Sequence, residues 1–200
     1  MTSYPTALAV LLVLIMLPLM GSQPVVQVDG CTELVSNGGF EAGHMGWTQS
    51  SSGGFVLIGN DNPFTGTAGA YLAGVNDADD RLEQAVWLPP EAAAISLRAR
   101  WSMATEETAG VFDTLAFSLI RPDGSTIALA KVDNTAEPGL WRELRVLAPY
   151  IAGQQFKFRV QAQTDASNPT AFFLDDVSLL ACPTAGAPRN VYLPLIPHRR

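Results

Sequence analysis

The chain has 200 residues, 48% hydrophobic and only 16% charged, with 12 Lys and Arg against 19 Asp and Glu for a formal net charge of -7. That composition is too apolar for a disordered chain. It is also too acidic for a polyanion partner, because nucleic-acid binding needs clustered cations to displace counterions. The length suits one domain with tails.

The first element is an uncharged run, Ala7–Met20, interrupted by Pro18. A bilayer-spanning helix needs about 20 apolar residues. The run matches the hydrophobic region of a secretory signal peptide instead, although no Lys or Arg precedes it. Residues 1–23 are therefore read as a signal peptide and 24–30 as a short lead-in. An uncleaved leader is the alternative, and the one route by which membrane contact is expected. Export makes the two cysteines readable. Cys31 and Cys182 enclose nearly everything between the tails, and in an oxidising compartment such a pair predicts a disulfide pinning first strand to last. The domain is placed at 31–182. Beyond it, residues 183–200 form a Pro/Gly/Ala spacer and a hydrophobic-basic tail around Val191–Ile196, too short to span a bilayer. The tail is read either as a sorting or attachment signal or as an unstructured end.

Between the cysteines the hydrophobic pattern has period two, punctuated by turn residues. Strands are expected at Thr32–Ser36, Phe55–Gly59, Gly69–Ala73, Arg81–Leu88, Ala94–Met103, Phe112–Ile120, Ser125–Lys131, Trp141–Ala148, Gln155–Gln163 and Ala171–Leu180. Side chains alternate across a strand. Leu97, Ala99 and Trp101 therefore share a dry face, and Arg98 and Arg100 a wet one. Phe156, Phe158, Val160 and Ala162 oppose Lys157, Arg159, Gln161 and Gln163. Arg121–Pro122–Asp123–Gly124 reads as a hairpin turn, Pro presetting φ and Gly accepting a positive value. About ten antiparallel strands and no sustained helical period predict an all-β, two-sheet antiparallel jelly-roll β-sandwich.

Two segments carry a resemblance. Glu33–Leu34–Val35–Ser36–Asn37–Gly38–Gly39–Phe40–Glu41, followed by Gly46–Trp47, opens the domain, and Phe172–Phe173–Leu174–Asp175–Asp176–Val177–Ser178–Leu179 closes it. This pair resembles the carbohydrate-binding modules of the family 4/9/22 type, which have the galactose-binding-like jelly-roll fold. The interior agrees at Leu82–Val86, at Trp141 with Leu144, and at Tyr150–Gln154. The resemblance implies a polysaccharide or glycan ligand. It also implies a structural calcium held by Glu41 and Asp175, with Asp176 as the alternative ligand and backbone carbonyls completing the shell; calcium takes 6–8 hard oxygens of mixed origin. The pattern adds that Asp175 shares parity with Phe173, Val177 and Leu179, and Asp113 with Leu115 and Phe117. Both acids are therefore expected to point inward, where a carboxylate needs a partner.

Sugars offer apolar C–H faces and hydroxyls, which proteins meet with exposed aromatics beside polar hydrogen-bonders. Leu82, Gln84, Val86 and Leu88 share one side of their strand, leaving Glu83, Ala85 and Trp87 on the other. Trp87 is the first candidate for a platform. Arg98, Arg100, Arg159 and Gln161 are candidates to hydrogen-bond hydroxyls from the same sheet, with Tyr71 assigned either to the core or to the ligand. Trp101 is expected in the core, and Trp47 and Trp141 in structural positions. Phe64 is read as a loop anchor, with the guard of a binding edge as the alternative.

No catalytic residues emerge. The only histidines are His44, in a Gly-rich loop, and His198, in the tail. The sequence has no G-x-S-x-G elbow, H-E-x-x-H site or phosphate loop. The adjacent acids Asp79/Asp80, Glu106/Glu107 and Asp175/Asp176 point to opposite faces if they lie on strands. The expectation is an exported, non-catalytic module that binds glycan at the cell surface or outside it. A structural or adhesive envelope protein making protein–protein contacts is the alternative.

Overall fold

The computed structural model describes residues 30–149 and 153–183; the expected signal peptide and nearly all of the tail lie outside them. The described chain is built of eleven strands: β1 (Thr32–Glu33), β2 (Thr48–Ser51), β3 (Ile58–Gly59), β4 (Gly69–Ala73), β5 (Asp79–Trp87), β6 (Ala94–Thr105), β7 (Thr114–Ile120), β8 (Thr126–Asp133), β9 (Arg142–Pro149), β10 (Gln155–Gln163) and β11 (Thr170–Cys182). They form two antiparallel sheets. One has the order β3-β4-β11-β6-β9, with β1 also on β11; the other has the order β2-β5-β10-β7-β8. The expected all-β sandwich is the observed one.

The dry faces meet between the sheets. Leu97, Ala99, Trp101 and Met103 of β6 and Phe172, Leu174, Val177 and Leu179 of β11 come from one side. Leu82 and Val86 of β5, Leu115, Phe117 and Leu119 of β7, and Phe156, Phe158 and Val160 of β10 come from the other. Trp47 is buried with them and donates its indole N–H to the Asn37 carbonyl, at 3.0 Å. Cys31 and Cys182 form the expected disulfide, spanning 151 positions of sequence.

Two details depart from the sequence reading. Strand β2 was not expected. Its four residues, Thr-Gln-Ser-Ser, carry no apolar alternation, and it forms because it pairs along β5 at the sheet edge. The parity of β11 also breaks. The β6–β11 register shifts between Asp175 and Ser178, and Asp176 sits at φ 47°. This bulge puts Phe173 on the outer face, stacked edge-on against Tyr71 at 5.4 Å, while Val177 and Leu179 stay inside. Asp175 is fully buried, but it opposes the outward Arg100 two positions from Phe173, before the register shift, so it shares the outer side of Phe173 and is covered there by the Phe64–Thr65 loop instead of pointing inward as expected.

Candidate functional site

The outer face of the five-stranded sheet follows from the pairing register. Trp87 opposes Gln155, Ala85 opposes Lys157, Glu83 opposes Arg159, Arg81 opposes Gln161, and Asp79 opposes Gln163. Directly opposed residues lie on the same face, so acids of β5 meet cations and amides of β10. Glu83 is the hub. Its carboxylate accepts from Arg159 Nε at 2.6 Å and pairs with Lys157 Nζ at 3.0 Å. Burial pushes the Glu83 carboxyl up, but the bonds from Lys157 and Arg159 outweigh it, and the group is held below the ordinary carboxylate range. Asp79 accepts from Gln161 Nε2 at 2.6 Å and from Arg81. On the far side of β10, Arg159 opposes Ser118 and Gln161 opposes Ala116, so the neighbouring floor is made of small side chains.

Trp87 ends this row and is 60% exposed. An indole left that open on a folded surface is unusual, since a large apolar side chain gains by burial. Trp87, Arg159 and Gln161 therefore share one face, and the structure adds Glu83, Lys157, Asp79 and Arg81 to it. The signal for these four was present as period-two parity with Trp87, but choosing the opposing strand needed the β5–β10 pairing.

The other candidates lie elsewhere. Arg98 and Arg100 are on β6, and Tyr71 is on β4, both in the six-stranded sheet. Parity assigned the two arginines correctly to an outward face, but it is the outward face of the opposite layer, and Tyr71, left open between core and ligand, packs there on Phe173. The expectation that the arginines join Arg159 and Gln161 on one sheet is corrected by the strand order. Tyr71 packs on Phe173, and burial, then Asp61 and Asp80, push its hydroxyl up. Phe64 stacks against Trp141 at 5.4 Å with the Arg100 guanidinium over it at 4.7 Å, so the loop anchor is also an aromatic shelf.

The acids expected to hold calcium cluster around one loop. Asp175 Oδ2 accepts the amides of Phe64 and Thr65, both at 2.9 Å, and its Oδ1 accepts that of Asp176 at 2.7 Å. Asp176 Oδ1 accepts from the Thr65 hydroxyl at 3.1 Å. Glu41 accepts the amides of Thr67 and Ala68 at 2.9 Å each, and those two bonds, that of Ala68 first, lower its carboxyl. Burial pushes the Asp175 carboxyl up against its amide donors. Among the described residues no three His, Cys, Asp or Glu gather around a common metal position. The fit is partial. One oxygen each of Asp175 and Asp176 lies within 4 Å of the point where a Gly39 side chain would begin, whereas Glu41 is engaged on Thr67 and Ala68.

Solved structures share this architecture. A family 61 carbohydrate-binding module, TmCBM61, solved with β-1,4-galactotriose, superposes with a TM-score of 0.56 at 18% identity, over 74% of this chain and 97% of that one. The fold is that of the carbohydrate-binding-module jelly rolls. The CBM22-1 xylan-binding domain of Paenibacillus barcinonensis Xyn10C matches this chain at 0.51 and 16%, over 77% and 97%. The K3 cleaved adhesin domain of Lys-gingipain from Porphyromonas gingivalis matches it at 0.51 and 16%, over 74% and 99%. No family model matches the sequence, and no curated protein does. Since an adhesin domain shares the scaffold, any ligand of this chain must be argued from its faces.

Proposed function

We propose that the domain is an exported, non-catalytic module that binds glycan on the outer face of the five-stranded sheet, with Trp87 as the stacking platform. The observation that carries this is the 60%-exposed indole at the end of a row of prearranged hydrogen-bonding side chains. A sugar ring lays its C–H face on Trp87, and later rings of a chain running along β5 reach Glu83 and Arg159 about 14 Å on and Gln161 about 20 Å on. Those side chains already hold one another, so little rotamer freedom is lost on binding. The galactotriose and xylan ligands of the neighbouring structures support the ligand class. The Cys31–Cys182 disulfide supports an extracytoplasmic location, secreted or at the cell surface, because such bonds persist in oxidising compartments.

Calcium carries over as a proposal. Asp175 and Asp176 supply neighbouring carboxylate oxygens beside Gly39, and carbonyls of the same loop are the donors calcium accepts with them.

Affinity electrophoresis of wild type and Trp87→Ala through a panel of neutral polysaccharides tests the ligand. Trp87 has about 250 Å² of surface, of which the exposed fraction leaves about 150 Å² open, and a sugar ring covers about half. At about 25 cal/mol per Å² that is about 2 kcal/mol, or roughly thirtyfold in Kd. Wild type is expected to be retarded and the variant not, with an unchanged melting temperature. A wild type that runs free through every polysaccharide overturns the proposal and favours the adhesive alternative.

A further inference from the structure

We infer that the six-stranded sheet carries a second and separate binding site, selective for a sugar unit that bears an oxyanion. The site is built by the edge strand β9. Its register sets Arg145 beside Arg98 and Glu143 beside Arg100, while β11 brings Ser178 beside Arg98. Three guanidinium groups thereby surround one carboxylate. Glu143 pairs with Arg145 Nε at 2.7 Å and Arg98 Nη2 at 3.1 Å through Oε1, and with Arg100 Nη2 at 4.0 Å through Oε2.

The three guanidiniums share one partner. The bond from Arg145 holds the Glu143 carboxyl below the usual range, so it stays ionised, yet it answers only one of three cations. Asp176 faces the same pocket, so Arg98 and Arg100 balance Glu143 and Asp176 in its lining; Arg145 joins them through Glu143, and Asp175, opposite Arg100 in the register, has its oxygens on the amides of Phe64, Thr65 and Asp176. Glu33, behind Ser178, has its carboxylate taken up by the amides of Leu34, Val35 and Leu179 and by the Ser178 hydroxyl. Each guanidinium has five N–H donors in a planar fork, and those of Arg98 and Arg145 each give one to Glu143. The arginine side chains are 34–52% exposed. Glu143 thus works as a template: it holds the forks together while their remaining donors meet an incoming carboxylate or sulfate.

The size and walls point to more than a bare ion. Arg98, Ala99, Arg100, Glu143, Asp176 and Ser178 line a pocket of about 240 Å³. A water molecule occupies about 30 Å³ of liquid, so the space takes a ring as well as its charged group. It is smaller than the roughly 300–1,000 Å³ of drug-sized sites, which suits one sugar unit. Arg100 is fixed over Phe64, itself stacked on Trp141, so an aromatic shelf adjoins the cationic cluster. Nothing here uses Trp87, which is on the other layer.

The test is an NMR titration of the full domain with sodium glucuronate, glucose 6-sulfate, glucose and inorganic sulfate. Glucuronate or glucose 6-sulfate is expected to shift the amides of Arg98, Arg100, Glu143 and Ser178, the tighter of the two naming the oxyanion. Glucose is expected to leave them unmoved. The double change Arg98→Gln and Arg100→Gln is expected to weaken binding at least about tenfold, the double Lys variant less, and Trp87→Ala not at all. Salt near 1 M, where the Debye length is about 3 Å, weakens it in wild type. Melting curves confirm that the variants fold. Equal binding of glucose, equal binding of inorganic sulfate, or an unchanged affinity in the Gln variant overturns the inference. Because the readout is at β6, β9 and β11 of the other layer, its failure leaves the Trp87 proposal standing, and the reverse holds too.

Discussion

The opening and closing motifs meet at Gly38, and this joint yields a sharp prediction about two adjacent glycines. Gly38 gives its carbonyl to the Val177 amide at 2.9 Å, next to a second link from the Leu34 amide to the Leu179 carbonyl. A Cβ on Gly38 would lie 1.8 Å from the Val177 carbonyl oxygen and 2.9 Å from its carbon, whereas one on Gly39 meets only the Asp176 and Asp175 carboxylates at 3.7 and 3.9 Å. Neither glycine has a positive φ, so only space separates them. Gly38→Ala must push backbone from backbone by more than 1 Å at the β11 bulge, where Val177 is buried. That breaks two backbone hydrogen bonds at about 1 kcal/mol each and leaves buried polar groups unpaired at about 1–3 kcal/mol. The expected loss is about 3–5 kcal/mol, or a fall in melting temperature of about 10–15 °C for a domain of this size. Gly39→Ala sits at ordinary contact and restricts the unfolded chain, so it is expected within about 1 kcal/mol of wild type. Urea denaturation followed by tryptophan fluorescence, with the disulfide intact, measures both. Equal losses in the two variants, or a Gly38→Ala protein as stable as wild type, refute the close-approach argument.

Replacing Cys31 and Cys182 by Ser opens a loop closed over 151 positions; the chain-entropy model expects a loss of up to about 5 kcal/mol, read as a lower urea midpoint, and an unchanged midpoint contradicts it. Glu83→Gln removes a carboxylate that two cations hold below its ordinary value of 4.5. A lowered folded pKa contributes stability that is present above the unfolded value and lost as pH falls through the folded one. The variant is therefore expected to lose about 1 kcal/mol at neutral pH and to converge with wild type in acid; a difference that persists at low pH contradicts it. Asp175, whose carboxyl is raised by burial, has the opposite sign: its charged form costs stability at neutral pH, and that cost is relieved as pH falls. Removal of calcium with EGTA is expected to lower the melting temperature if Asp175 and Asp176 hold the ion, and an unchanged melt removes that proposal.

Faces were readable from the sequence, and layers were not. Period two assigns a residue to the dry or the wet side of its own strand, which is why Trp101 is buried and Trp87 exposed as expected. It is silent on which sheet that strand joins, because pairing is a long-range choice. Two features hid even the face. Strand β2 has no apolar residue to mark a period; Gln49 holds the Leu57 and Ile58 amides instead. The bulge at Asp175–Ser178 inserts a residue that reverses parity midway along β11.

The signal that does speak to pairing is charge. Asp79, Arg81 and Glu83 alternate in sign along β5; Gln161 reaches Asp79, and Arg159 and Lys157 both reach Glu83, while the arginines of β6 find Glu143 on β9. Opposed charges across strands are worth only a few tenths of a kcal/mol to about 1 kcal/mol each, too little to choose a partner strand against the hydrophobic core. Once the core has chosen, though, those pairs decide what each outer face presents. On the five-stranded layer Arg81, Lys157 and Arg159 are held on Asp79 and Glu83, a prearranged hydrogen-bonding floor beside an aromatic. On the six-stranded layer three guanidiniums share one carboxylate. The two faces therefore differ in what they offer a ligand, paired side chains beside an exposed indole on one and a cluster of guanidinium forks around Glu143 on the other, although the alternation that produced them is the same.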